Sequence, residues 1–142
     1  MDKKYEALRL TNQLCFPLYA SAKEIVRRYR PFLKEIGLTY TQYIVMMVLW
    51  EEGECSVKKI GDRLRLDSGT LTPVLKSLEA SGFIVRLRSQ EDERFLLIRP
   101  TDCGYELRER ALAVPPKISS CVNLEPAEAV ELYRLLYKIL DK

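Results

Sequence analysis

Four cysteines and no histidine bound the chemistry open to this chain of 142 residues. The cysteines stand at positions 15, 55, 103 and 121, with no C-x-x-C pair among them. Zinc sites draw clustered Cys and His ligands, so neither metal nor other cofactor is expected. The missing imidazole removes the usual proton carrier of catalysis near neutral pH, and an enzyme is not expected either. Thiol redox chemistry remains. Only a thiolate attacks a peroxide O–O bond, and the first product is a sulfenic acid, a reversible rung of cysteine oxidation. At Cys15 that chemistry is sensible on its own terms, although the residues alone favour the plainer reading of a small buried hydrophobe. Proline is tolerated in a helix's first turn and costly inside it, so Pro17 places a helix start near Cys15 or Phe16. A cysteine there meets the positive end of the helix dipole, which stabilises negative charge. Phe16, Leu18 and Tyr19 would surround it with apolar groups suited to organic hydroperoxides.

The elements that must position this thiol follow from periodicity. Leu18, Ala22, Ile25, Tyr29 and Phe32 recur every three or four residues, a helix that Pro31 and Gly37 close. Thr39 and Gln42 have the spacing of a capping box. Behind them Ile44, Met47, Val48 and Trp50 read as a central buried helix ended by Gly53. Ser56 is an N-cap for a short helix to Leu64. A tight turn leads to a helix over 68–81, with Leu71, Val74, Leu75 and Leu78 as its apolar stripe and Gly82 as its stop. The period then becomes extended: 83–88, a polar loop over 89–94 and 95–99 read as a β-hairpin. Asp102 or Thr101 caps a further helix, which Pro115 and Pro116 break. A last helix over 126–140 carries Leu132, Leu135, Leu136 and Ile139 on one face. No apolar run approaches the roughly 20 residues of a membrane span, and residues 1–10 lack the apolar core of a secretory signal. These features point to a protein of the cytosol with no membrane partner.

A short helix, a tight turn, a second helix and a β-hairpin make a winged helix-turn-helix, in which the second helix enters the DNA major groove. The face of 68–81 opposite the leucines carries Thr72, Pro73, Lys76, Ser77 and Ala80, with Ser68 and Thr70 at its start. Short side chains allow close approach, and Lys76 reaches a phosphate or a guanine edge. Arg86 and Arg88 make the hairpin basic. Arg94 at its tip suits a narrow minor groove, with Asp92 to hold it by an ion pair. A solvated amphipathic helix and a weak surface ion pair are the bland alternatives. The formal charge of +3 is mild support for a polyanionic partner.

The run Val57-Lys-Lys-Ile-Gly-Asp-Arg-Leu, then Leu66-Asp-Ser-Gly-Thr-Leu-Thr-Pro-Val-Leu-Lys76, then Glu91-Asp-Glu-Arg94 resembles the multiple-antibiotic-resistance regulator (MarR) family. The wing's Asp92-x-Arg94 is that family's common mark. The resemblance covers essentially the whole chain. It implies a mainly α fold with a small β-hairpin wing and a homodimer. Residues 1–38 and 101–142 would be dimerisation helices, and 39–100 the DNA-binding part. The DNA would be a near-palindromic operator.

The Leu14-Cys15-Phe16 segment, with Tyr29 and Tyr40, is similar to the organic hydroperoxide resistance regulators within that family. This implies that Cys15 senses peroxide and that Tyr29 and Tyr40 hydrogen-bond it from the partner subunit. Phenolic donors stabilise a thiolate. Some relatives carry a second cysteine near the C-terminus that condenses with the sensor across the dimer. Cys121, between Pro116 and Pro126, fits that part, Cys103 is the rival, and Cys55 is structural or incidental. The expected outcome is release of DNA by organic hydroperoxide and derepression of a peroxidase gene. Response to a small aromatic ligand or to hypochlorite is the alternative.

Overall fold

The computed structural model describes residues 2–92 and 95–141. The chain opens with two short 3-10 turns, Lys3–Leu8 and Leu10–Asn12, which bury nothing. Then come α1 (Cys15–Lys34), α2 (Tyr40–Glu52), β1 (Cys55–Ser56), α3 (Val57–Leu64), α4 (Ser68–Ala80), β2 (Ile84–Arg88), β3 (Leu96–Pro100), α5 (Asp102–Ala111), α6 (Val114–Ser119) and α7 (Pro126–Leu140). The three strands form one antiparallel sheet in the order β1-β3-β2. It is a mainly α fold with a β-hairpin wing, as the sequence implies.

The predicted caps are present. Thr39 Oγ1 accepts from the Gln42 backbone at 3.3 Å, and Gln42 Oε1 accepts from the Thr39 N–H at 2.9 Å. Ser56 caps α3 through the Lys59 N–H at 3.1 Å, and Thr101 rather than Asp102 caps α5. Three expectations change. Pro31 lies inside α1, which continues to Lys34 before Gly37 turns the chain with φ +73°. Pro115 and Pro116 do not simply break a helix. They occupy the first turn of α6, where a missing N–H costs nothing. Strand β1 was not expected. Two residues carry no period, and pairing of Cys55 with Ile98 defines it.

One core unites α2, α3, α4 and the sheet. Leu71, Leu75 and Leu78 of the α4 stripe are almost fully buried, together with Val45, Met46, Leu49, Ile60, Ile84 and Ile98. Each such side chain contributes about 1.5–3 kcal/mol of burial free energy. Leu33 from the end of α1, Ile36 from the turn after it, and Leu107 and Val114 from α5 and α6, complete it. Met47, predicted inside, is 40% exposed. A helix that is apolar all round gives no stripe from which to choose its outward face.

Two contacts fix how the helices meet. Gly61 in α3 sits where an added Cβ would stand 2.7 Å from the Leu66 carbonyl, so the turn into α4 closes only over a glycine. That turn contains Arg65 with φ +56°. Gly104 in α5 would put a Cβ 2.2 Å from the Phe83 carbonyl, and its own carbonyl accepts from the Trp50 indole at 2.9 Å. These contacts dock α5 against the start of the hairpin and against α2.

Helix α7 buries no residue. Leu132, Tyr133, Leu135, Tyr137, Ile139 and Leu140 are all exposed, as are Leu8, Leu10, Leu14, Phe16, Leu18 and Tyr19 at the other end of the chain. The end of α7 touches the turn between α3 and α4 through Arg65, which donates to the Leu140 carbonyl at 2.9 Å. No helix among the described residues is long and apolar enough to cross a membrane.

Candidate DNA interface and thiol site

Helix α4 presents Ser68, Thr70, Thr72, Pro73 and Lys76 on its exposed side, opposite the buried leucines. Asp67, absent from the predicted set, caps it by accepting the Thr70 N–H at 2.7 Å, a bond that holds its carboxyl below the usual range. Thr72 folds its hydroxyl back onto the Ser68 carbonyl at 2.7 Å. Lys76 makes no ion pair among the described residues. The cations of α3 are different: Lys58 pairs with Asp62 at 2.8 Å, Lys59 with Glu52 at 2.5 Å and Arg63 with Glu51 at 2.6 Å. Ser77 is exposed with that face, and its hydroxyl also accepts from the buried Gln42 amide at 2.8 Å, which ties α4 to α2.

On the wing, Arg86 is turned back onto α4, pairing with Glu79 at 2.9 Å. It thus ties the hairpin to α4, a partnership seven residues apart that no short-range pattern reveals. Arg88 is exposed near the strand end. Asp92 is half-buried in the loop, and its carbonyl accepts the Phe95 N–H at 3.0 Å. Arg94, and with it the predicted Asp92–Arg94 pair, lies outside the described residues.

Cys15 is the first residue of α1 and is exposed. Its N-cap, Leu14, offers no side-chain acceptor, so the helix-end N–H groups stay open to an anion. Tyr29 and Tyr40 do come together, with ring centroids 4.9 Å apart. Tyr43 joins them, 5.9 Å from Tyr29 and 6.5 Å from Tyr40. The sequence reading missed Tyr43, although it stands on the same face of α2 as Tyr40. Burial pushes all three phenols above their ordinary value, so they remain protonated donors near neutral pH. Along α1, however, Tyr29 is roughly 21 Å from Cys15 at 1.5 Å per residue. The cluster meets a cysteine 15 only if that cysteine belongs to a second chain.

Cys121 follows α6, and its carbonyl accepts from Arg28 Nη1 at 2.6 Å. Arg28 is also far along α1 from Cys15, roughly 20 Å, whereas a disulfide needs Cα atoms within about 7 Å. A link between these two thiols within one chain is therefore closed off by α1 itself. Cys103 is exposed on the first turn of α5, and Cys55 is buried in β1 with its thiol pushed up mainly by burial. No cluster of three metal-ligating side chains occurs among the described residues.

The sequence profile of the SarA/Rot transcriptional regulators matches residues 27–110. The organic hydroperoxide resistance transcriptional regulator of Bacillus subtilis is 43% identical over 141 residues, 99% of this chain and 96% of that protein. The chain is a MarR-family transcriptional regulator of the organic hydroperoxide resistance group. Among solved structures, AbfR of Staphylococcus epidermidis is a near neighbour of this MarR-family chain. Reduced AbfR bound to DNA superposes with a TM-score of 0.82 at 42% identity, over 97% of this chain and 94% of AbfR. The disulfide form of AbfR gives 0.66 at 43% identity, over 96% of each chain. The fold of this MarR-family regulator is thus nearer to the reduced, DNA-bound form of AbfR than to its disulfide form.

Proposed function

We propose that this protein is a homodimeric redox switch on transcription: it holds operator DNA while Cys15 is reduced and lets go when organic hydroperoxide oxidises Cys15. One observation carries the reading. An exposed cysteine opens a helix whose apolar surroundings the chain leaves uncovered, while the tyrosines suited to hold its thiolate lie beyond its own reach. A second copy would cover Phe16, Leu18 and the α7 leucines. It would also bring Tyr29 and Tyr40 of one protomer to Cys15 of the other. The likeness to reduced AbfR and to the Bacillus regulator supports the same assignment.

In this reading two α4 helices enter successive major-groove half-sites about one helical turn apart. Ser68, Thr70, Thr72, Pro73 and Lys76 face the groove. Arg88 and the wing tip, with Asp92 and Arg94, approach the flanking backbone or minor groove, and Arg86 positions the wing. Cys15 thiolate attacks the hydroperoxide: an S–O bond forms, the O–O bond breaks and the alkoxide leaves as alcohol after taking a proton. The Cys121 thiolate of the second protomer then displaces hydroxide from the sulfenic acid, which leaves as water. The new disulfide pulls the dimer helices and changes the half-site spacing, so the protein acts as a repressor relieved by oxidant.

The test treats the reduced protein with one equivalent of cumene hydroperoxide, maps its cysteines by mass spectrometry without reductant, and follows DNA binding in parallel. A Cys15–Cys121 link between chains with loss of DNA is the expected result. Cys15→Ser should bind DNA and ignore the peroxide. An unreacted Cys15 in the wild type overturns the reading. A second reading, response to a small aromatic acid, is favoured by one feature. A cavity of about 540 Å³ is lined by Arg30, Lys34, Thr39 and Tyr40. Release of DNA by salicylate under reducing conditions would establish it.

A further inference from the structure

We propose that Arg28 is a positioning residue that tethers the Cys121 segment in the reduced protein. It thereby sets whether oxidised Cys15 is captured as a disulfide or oxidised further. The inference rests on the two-cysteine reading above.

The geometry is specific. Arg28 grips two groups at once: Nε donates to Glu24 Oε1 at 3.0 Å and Nη1 to the Cys121 carbonyl at 2.6 Å. Glu24 is shared with Arg27, and the two guanidiniums hold its carboxyl down at about 2. The anchor of the tether is therefore charged throughout the physiological range. Cys121 lies where α6 has ended, its N–H still bonded to the Ile118 carbonyl at 2.9 Å. From there to the start of α7, among the described residues, Arg28 supplies the side-chain hydrogen bond that reaches the segment from elsewhere in the fold.

Its place on α1 gives the tether a consequence. Arg28 and Tyr29 are consecutive, so they project about 100° apart around the helix. Tyr29 points into the tyrosine cluster, where the proposed function puts the Cys15 of the second protomer. Cys121 is held on the adjacent face of the same turn. In this proposal the segment leaves Arg28 and passes around α1 to form the disulfide. Until it does, the sulfenic acid is open to a second hydroperoxide, which adds oxygen to give the sulfinic acid and releases another alcohol. The two end points compete, and the strength of the Arg28 contact weights the competition. AbfR has been seen in both an overoxidised and a disulfide form, so both are reachable in this fold.

The test compares the wild-type dimer with Arg28→Met, Arg28→Lys and Glu24→Gln. In the reduced proteins, the rate at which iodoacetamide labels each cysteine is read by mass spectrometry. In a second arm, cumene hydroperoxide is raised from one to ten equivalents and the ratio of Cys15–Cys121 disulfide to Cys15 sulfinic acid is measured. Loss of one charge-assisted hydrogen bond at a half-exposed site corresponds to about three- to tenfold. Arg28→Met should raise Cys121 labelling and the disulfide-to-sulfinic ratio by that factor, with Cys103 labelling unchanged. Arg28→Lys, which keeps a cationic donor, should fall between. Glu24→Gln, which frees the guanidinium without removing it, should move both readings in the same direction. If the link forms in the wild type and both readings stay within twofold in folded variants, the tether is wrong and the two-cysteine switch stands. If the wild type forms no Cys15–Cys121 link, both fall.

Discussion

The head and the limbs of this molecule are made by different rules. From α2 through β3, apolar stripes find each other inside the chain, and Leu49, Ile60, Leu78 and Ile98 reach zero exposure. At the two chain ends, the same kinds of residue stay outside. Helix α7 has an apolar face as good as that of α4, yet it buries none of it. An exposed run of leucines and tyrosines of this extent marks an interaction surface. The head buries its apolar residues within the chain, whereas the limbs leave theirs exposed. The thiols belong to this contrast. Cys55 is sealed in the head, and Cys15 sits on the limb that waits for its cover.

The largest effect should come from the head. Leu75→Ala removes a fully buried side chain and should cost about 2–5 kcal/mol in urea unfolding, the same at every protein concentration. Next is the limb. Leu132→Glu with Leu135→Glu should leave the head's unfolding transition in place and weaken self-association at least about tenfold, a cost of ~1.4 kcal/mol or more. Analytical ultracentrifugation reads it, and unchanged association would mean that α7 is not a subunit interface. Between the two regions, Gly104→Ala should cost about 1–3 kcal/mol through its clash with the Phe83 carbonyl. Unchanged stability would show that α5 slides freely on the head. Smaller again is Lys76→Ala, expected to weaken DNA binding by about 1 kcal/mol and lower the salt slope by about one.

The smallest effect is that of pH. Glu24 has its carboxyl lowered from 4.5 to about 2, so its contribution is present above 4.5 and fades as pH falls toward 2. Tyr29, Tyr40 and Tyr43 have phenols raised mainly by partial or full burial. Their contribution is complete below about 10 and is lost as pH rises further. With no histidine in the chain, unfolding free energy should be flat between pH 5.5 and 7.5. A slope there, measured by urea titration, would point to a proton-linked group that these two sets do not contain.

Most of the head was legible because each of its signals is local. Thr39 with Gln42, Ser56 before α3 and the leucine stripe of α4 all act within one or two turns. What escaped was long-range. The Arg86–Glu79 pair, the Gln42–Ser77 bond and the Arg28–Cys121 contact join residues that no period relates. Tyr43 was within reach, being one turn from Tyr40, but an aromatic on a wholly apolar helix stands out from nothing. Cys15 and the Tyr29–Tyr40 pairing came from resemblance more than from spacing. In the proposed function their chemistry is shared between chains, and one chain's periodicity is silent about that.

Trp50 gives these ideas an optical readout. It is the one tryptophan of the chain, half-buried, with its indole N–H on the Gly104 carbonyl at the seam between α2 and α5. Indole emission shifts with hydrogen bonding and solvent access, so the fluorophore reports one joint and no other. If oxidation swings the limbs against the heads through α5, the emission should change with the kinetics of that motion. If the heads move only as rigid passengers, the spectrum should stay silent while DNA is released. The native protein thus carries its own unlabelled gauge of where the signal travels.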